Sequence, residues 1–124
     1  ELSNYSYVKA PYEEYSNYYK LMDVFVSPAK LEGGPIPLIE SMMCNVVPVA
    51  SRTGFAPDIV VHQENGFLFD ADASTENISQ FIEKAFYLEA DIRKSVEQLS
   101  WRNFSLNIQN IIDISQSESP NTHV

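Results

Sequence analysis

Leu31-Glu32-Gly33-Gly34-Pro35-Ile36-Pro37-Leu38-Ile39-Glu40 stands between two apolar runs, Val24-Phe25-Val26 and Val46-Val47-Pro48-Val49. Asp23 to Ser27 is short, β-branched and aromatic and is closed by Pro28, the pattern of a buried strand that ends just before the glycines. Pro35 and Pro37 fall where a helix starts, a place that tolerates proline because first-turn N–H groups have no intrahelical partner. Ile36 precedes a proline and is biased away from helix, so either proline can be the first helical residue. Strand, glycine turn and helix N-terminus in that order make a ready anion site, since free N–H groups and the positive end of the dipole point at one spot. The prolines remove two donors; Gly33, Gly34, Ile36 and Leu38 keep theirs.

Glu32 precedes the helix and Glu40 lies two turns inside it, so a rise of about 1.5 Å per residue holds the carboxylates on the order of 10 Å apart. A pair flanking one glycosidic bond in a hydrolase sits at roughly 5 to 9.5 Å. The wider spacing suits an extended ligand gripped at both ends. An ionised carboxylate is acceptor-only and can take two hydroxyls, which matches a vicinal diol of a ribose or hexose.

The blocks DVFVSP, EGGPIPLIESMMC, VPVAS, TGFAPDIV and ENGFLF, in this order and at these distances, resemble the C-terminal donor-binding domain of family 4 retaining glycosyltransferases (glycosyl transferases group 1), which have the two-domain GT-B fold. The resemblance runs from about Tyr7 to Trp101 and extends toward Ile114. It implies that Glu32 contacts the donor sugar, as the catalytic glutamate of the pair, and that Glu40 contacts the nucleotide ribose. It lays the backbone of Gly33, Gly34, Pro35 and Ile36 against sugar and diphosphate, with Thr53, Gly54 and Phe55 bordering the sugar from the next loop. The substrate implied is a nucleoside-diphosphate sugar, with no cofactor and no metal. Two departures leave the glutamates untouched. Asn45 stands where the turn after the helix usually has glycine, and is the next-best residue for a left-handed C′ position. Pro48 sits one place later than is common, with Ala50 in step.

Seventeen acidic against eight basic residues give a net charge of −9, which argues against nucleic acid or an anionic membrane as partner. Near the proposed site only Lys30 and Arg52 are basic, and both read equally well as solvated surface charges. The resemblance implies that the basic pair neutralising the diphosphate belongs to an earlier segment. A single cysteine, Cys44, excludes an internal disulfide, fits a reducing compartment and reads as a packing residue. No run approaches transmembrane length. A cytoplasmic setting is expected, peripheral at the inner membrane face through the parent enzyme.

Along the chain, Leu2 to Ala10 reads as a strand, and Pro11 to Met22 as a helix whose Tyr12, Tyr15, Tyr19 and Met22 form one face, taken as core. Pro37 to Cys44 is the helix of Glu40, with Leu38, Ile39, Met42 and Met43 toward the sheet. Val46 to Ala50 is a strand, and both it and Val24 to Val26 are apolar at consecutive positions, as in strands covered on both faces. Ala56 to Val61 is a short helix, with Asp58 in its first turn. His62 reads as an exposed polar residue, Asn65-Gly66 as a turn, and Phe67 to Phe69 as an edge strand. Asp72 and Ser74 are cap candidates for a helix from Thr75 to Leu88, with Ile78, Phe81, Ile82, Ala85 and Phe86 on one face. Ala90 to Leu99 gives a further helix through Ile92, Val96 and Leu99, and Trp101 opens a last one through Phe104, Ile108 and Ile111.

The expected fold is α/β, a partial Rossmann-like three-layer domain with a mostly parallel sheet of about four strands and helices on both faces. Residues 1–114 form the C-terminal part of the nucleotide-sugar-binding domain and 115–124 a polar tail. Counted against the family, four strands of six and no acceptor-binding domain are present. The expected partners are therefore a nucleotide-sugar donor, the missing N-terminal acceptor domain and, through an unpaired strand edge, a second copy. The chain alone is expected not to turn over. The alternatives are a non-catalytic half-domain that completes its fold with another chain, and a nucleotide-sugar epimerase or phosphorylase of the same fold; the GFAPDIV and ENGFLF blocks favour the transferase.

Overall fold

In the computed structural model, which describes residues 3–118, a 3-10 turn at Tyr12–Glu14 leads into α1 (Tyr15–Tyr19), β1 (Val24–Ser27), α2 (Ile36–Met43) and β2 (Val47–Ser51). Then come α3 (Ala56–Ile59), β3 (Phe67–Phe69), α4 (Thr75–Phe86), 3-10 turns at Arg93–Ser95 and Glu97–Leu99, and α5 (Trp101–Ser117). The strands form one sheet in the order β1-β2-β3, parallel throughout, with Val24 opposite Val47 and Val49 opposite Phe67. Parallel neighbours require crossovers, and α2 and α3 lie in the two crossovers. This is the expected α/β, Rossmann-like class, with three strands where about four were expected.

The missing one is the strand expected over Leu2 to Ala10. Leu2 lies outside the described residues, and Ser3 to Ala10 forms no strand; Tyr7 is 86% exposed. Its β-branched and aromatic residues favour extension, but a strand persists only where a neighbour takes its N–H and C=O groups. No strand in the sheet does so. Of the polar tail, residues 119–124 lie outside the described part, while Ser115 to Ser117 continue α5.

All five residues of β2 are buried in succession, which requires cover on both faces because successive side chains point opposite ways. α2 and α4 both pack on β2. β1, with a neighbour on one side only, is half-exposed throughout. Pro48 is tolerated inside the central strand because the ladder to β3 begins one residue later, at Val49. Leu38, Met42, Val49, Phe67, Ile92 and Val96 anchor the core.

α2 ends at Cys44, and Asn45 takes the left-handed conformation at φ 64°, as its C′ position predicts. Its Oδ1 also accepts from the Arg93 N–H at 3.1 Å, tying the end of α2 to the segment expected to be a helix from Ala90 to Leu99. That segment is two 3-10 turns. Ile92 and Val96 are fully buried as their spacing suggests, but side chains compete for the backbone: Asp91 accepts from the Lys94 N–H and the Ser95 hydroxyl donates to the Ile92 carbonyl. α4 starts at the Ser74 cap, whose Oγ accepts from the Asn77 N–H at 3.1 Å. Its Phe86, expected on the buried face, is exposed and meets the Tyr87 ring edge-on.

Candidate functional site

Because β1 and β2 are parallel, the loops that follow them leave the sheet at the same edge. Those loops are locked together. The Glu32 N–H donates to Thr53 Oγ1 at 3.0 Å, and the Ser51 hydroxyl donates to the Ala29 carbonyl. Gly54 has φ +54°, and a Cβ there would lie 2.9 Å from the Glu32 carbonyl oxygen, 3.0 Å from Pro35 Cδ and 3.1 Å from the Gly33 carbonyl oxygen. Gly34 in turn faces the Phe55 ring, where a Cβ would meet Cε1 at 2.9 Å. Glu32, Gly33, Gly34 and Pro35 are thus brought against Thr53, Gly54 and Phe55. The Glu32 carboxylate has no hydrogen-bonding or ionic partner among the described residues.

The donor set at the start of α2 is smaller than expected. The Ile36 N–H turns back onto the Gly34 carbonyl at 2.9 Å and the Leu38 N–H bonds the Pro35 carbonyl at 3.0 Å, so both are spent in the tight turn that leads into the helix. The Gly33 and Gly34 N–H groups make no hydrogen bond among the described residues.

α2 has two working faces. Leu38, Ser41 and Met42 are buried, with the Ser41 hydroxyl satisfied on the Leu38 carbonyl at 2.8 Å. Ile36, Ile39, Glu40 and Met43, at the spacings of one helix face, instead line a cleft of about 700 Å³. Its other walls are Tyr12, Tyr15 and Tyr19 on one side and Leu99, Trp101 and Phe104 on the other. Ile39 and Met43, both expected toward the sheet, border this cleft, and Met43 also packs against the core. Glu32 is not among the residues lining the cleft.

The Glu40 carboxylate is engaged at both oxygens. The Tyr12 hydroxyl donates to Oε1 at 2.5 Å and the Tyr19 hydroxyl to Oε2 at 2.9 Å. Tyr19 is 7% exposed and meets the Phe25 ring edge-on, whereas Tyr12 is 65% exposed. Both phenols titrate above their ordinary value. For Tyr12 the first cause is the bond to Glu40; for Tyr19 it is burial, followed by the same carboxylate. Both remain O–H donors at neutral pH. The tyrosine stripe expected as core is therefore core only at Tyr19, because α1 is too short to be wrapped; Tyr12, Tyr15 and Met22 are exposed. Three hydroxyls at helical spacing were the signal that could have marked a polar face.

Arg52 is held in an ion pair with Asp70 at 3.3 Å on an exposed surface, as a solvated charge would be. His62 departs from expectation: it is half-buried, its Nδ1 accepts from the Leu68 N–H at 3.0 Å, and its ring meets Phe67 and Phe81 edge-on. Burial first, then Arg52 and Lys84, hold its titration below the usual histidine range. It belongs to the turn closed by Asn65, which accepts from the Val61 N–H and donates to the Ile59 carbonyl. Among the described residues no group of three or more His, Cys, Asp or Glu could hold a metal ion, and no helix is long and apolar enough to cross a membrane.

Parallel strands whose following loops interlock at one edge define a Rossmann-like α/β domain. The sequence profile described as Glycosyl transferases group 1 matches residues 6–100, and the chain belongs to that family. Its fold is similar to that of sucrose-phosphate synthase from Thermosynechococcus elongatus, with a TM-score of 0.69 and 24% identity. The match covers 82% of this chain and 27% of that one, so the chain spans little more than a quarter of that protein's length. None of the curated proteins matches it.

Proposed function

We propose that this chain is the donor-binding part of a retaining glycosyltransferase, which moves a sugar from a nucleoside diphosphate to an acceptor hydroxyl in glycan or polysaccharide synthesis. Glu32 positions the sugar, Glu40 anchors the ribose diol, and the Gly33 and Gly34 N–H groups face the diphosphate. Thr53, Gly54 and Phe55 close the sugar side. The observation that carries the reading is the interlock of the loops after β1 and β2, which presents Glu32 beside Thr53 at the strand ends. Catalysis would rest on holding the donor and stabilising the leaving phosphate rather than on a general base. The reaction needs neither metal nor cofactor. The site meets solvent on the side where an acceptor domain would close over it, and the chain by itself does not turn over.

Calorimetric titration with UDP, GDP, ADP and their common sugar conjugates, repeated on Glu40→Ala, tests this reading. Binding of one nucleotide that the substitution weakens supports it; binding unaffected by the substitution removes Glu40 from the site.

A second reading is favoured by the open side of β1 and by α5, none of whose residues is buried. An unpaired strand edge and an uncovered apolar helix face suit a fold completed by further polypeptide, whether an acceptor domain or a second copy.

A further inference from the structure

We propose that Tyr12 is a displaceable stopper on the Glu40 carboxylate, and that a ligand enters the site by exchanging its own hydroxyls for that of Tyr12. The proposal rests on the reading of Glu40 as the ribose-binding carboxylate and adds how that site is closed when empty.

The two phenols on Glu40 are not equivalent. Tyr19 is buried, sits in the last turn of α1, and is wedged against Phe25. It cannot leave Oε2 without opening the core. Tyr12 lies in a 3-10 turn that buries none of its residues, and among the described residues the one ring it meets is that of Tyr15 at 5.5 Å. Its hydroxyl can swing into water and lose little else. The movable donor and the fixed donor thus share one carboxylate, at the wall of a cleft large enough for a nucleoside.

A carboxylate has about four lone-pair positions. With Tyr19 kept on Oε2, a vicinal diol can place one hydroxyl on Oε1 in place of Tyr12 and a second beside Tyr19 on Oε2. It makes two bonds for one displaced. A ligand offering a single hydroxyl makes one bond for one displaced and breaks even. A ligand with no hydroxyl there leaves Tyr12 in place. The stopper therefore sets a threshold that a diol passes.

The test compares the wild-type chain with Tyr12→Phe, Tyr19→Phe and Glu40→Ala by calorimetric titration with UDP, GDP and ADP. The nucleotide that binds is then repeated as its 2′,3′-dideoxy form. Phenylalanine at position 12 keeps the ring contact with Tyr15 and removes only the competing hydroxyl. The expected result is binding about three- to tenfold tighter in Tyr12→Phe, the scale of one hydrogen bond. No tightening is expected for the dideoxy nucleotide, or in Tyr19→Phe. If binding depends on Glu40 but Tyr12→Phe fails to tighten it, or tightens the dideoxy nucleotide as much, the stopper is refuted and the ribose reading stands. An equal gain in Tyr19→Phe also refutes it, because freeing the carboxylate in general would then be the cause. If no nucleotide binds any of these chains, the ribose reading falls and the stopper with it.

Discussion

Substituting Gly54 by alanine tests the loop interlock on which the site depends. Gly54 is left-handed, and a side chain there costs about 1 kcal/mol in backbone conformation alone. The added Cβ would stand 2.9 and 3.1 Å from two carbonyl oxygens and 3.0 Å from the Pro35 ring, none of which is the free end of a flexible side chain. Relieving such overpacking costs typically about 1–3 kcal/mol. The two terms together give roughly 2–4 kcal/mol, a large share of the 5–15 kcal/mol that holds a domain folded. At about 4–8 °C per kcal/mol for a domain near this size, Tm should fall by roughly 10–30 °C unless the loops part instead. Circular dichroism melts and urea titrations of Gly54→Ala beside Gly33→Ala supply the assay. Gly33 has open space around its position and no left-handed φ, so its alanine should lie within about 0.5 kcal/mol of wild type. A Gly54→Ala chain that melts within two or three degrees of Gly33→Ala, with its nucleotide binding intact, would refute the interlock.

Glu40→Ala should cost about 1 kcal/mol, because the buried Tyr19 hydroxyl loses its acceptor; Glu40→Gln, which keeps an acceptor, should cost less, and chemical denaturation of both checks the order. Ser74→Ala should destabilise α4 by about 1 kcal/mol through loss of its cap, read from the urea midpoint at constant m. The folded His62 titrates below its unfolded value, so the unfolded chain binds the extra proton: stability should be flat above about pH 6.5 and fall as pH drops through the depressed folded value. His62→Gln should flatten that slope in melts from pH 5 to 8, against the remaining slope from the carboxylates. Asn45→Ala should destabilise more than Asn45→Gly, since both lose the bond to Arg93 but only alanine is strained at φ 64°.

The elements that could be read from the sequence are those whose signal is local. Asp23 to Ser27 and Val46 to Ala50 are short apolar runs with the pattern of strands, and Pro28, Pro35, Asn45 and Gly66 punctuate the chain where elements begin or end. The helix bearing Glu40 follows from that punctuation together with the family pattern. What could not be read depends on neighbours. The tyrosine-rich stretch before Ala10 has strand-like composition, yet a strand is a property of two segments, and its partner is not in this sheet. Residues 90–99 carry the right apolar spacing, but Asn45, forty-eight positions away from Arg93, takes an N–H that a helix would have used.

The tyrosines of α1 and the 3-10 turn before it make the same point about the site. Tyr12, Tyr15 and Tyr19 stand three and four residues apart and have three different burials in space, because the face they share runs from the core at Phe25 out to solvent. A periodicity reports that residues share a face and says nothing of how far along it the protein's interior extends. Glu40 lies where that face crosses from inside to outside, and this explains how one carboxylate can be held by a fixed hydroxyl and an exposed one together. The binding chemistry proposed for Glu40 requires that asymmetry: fully buried donors would keep a ligand out, and fully exposed ones would leave the carboxylate unoriented.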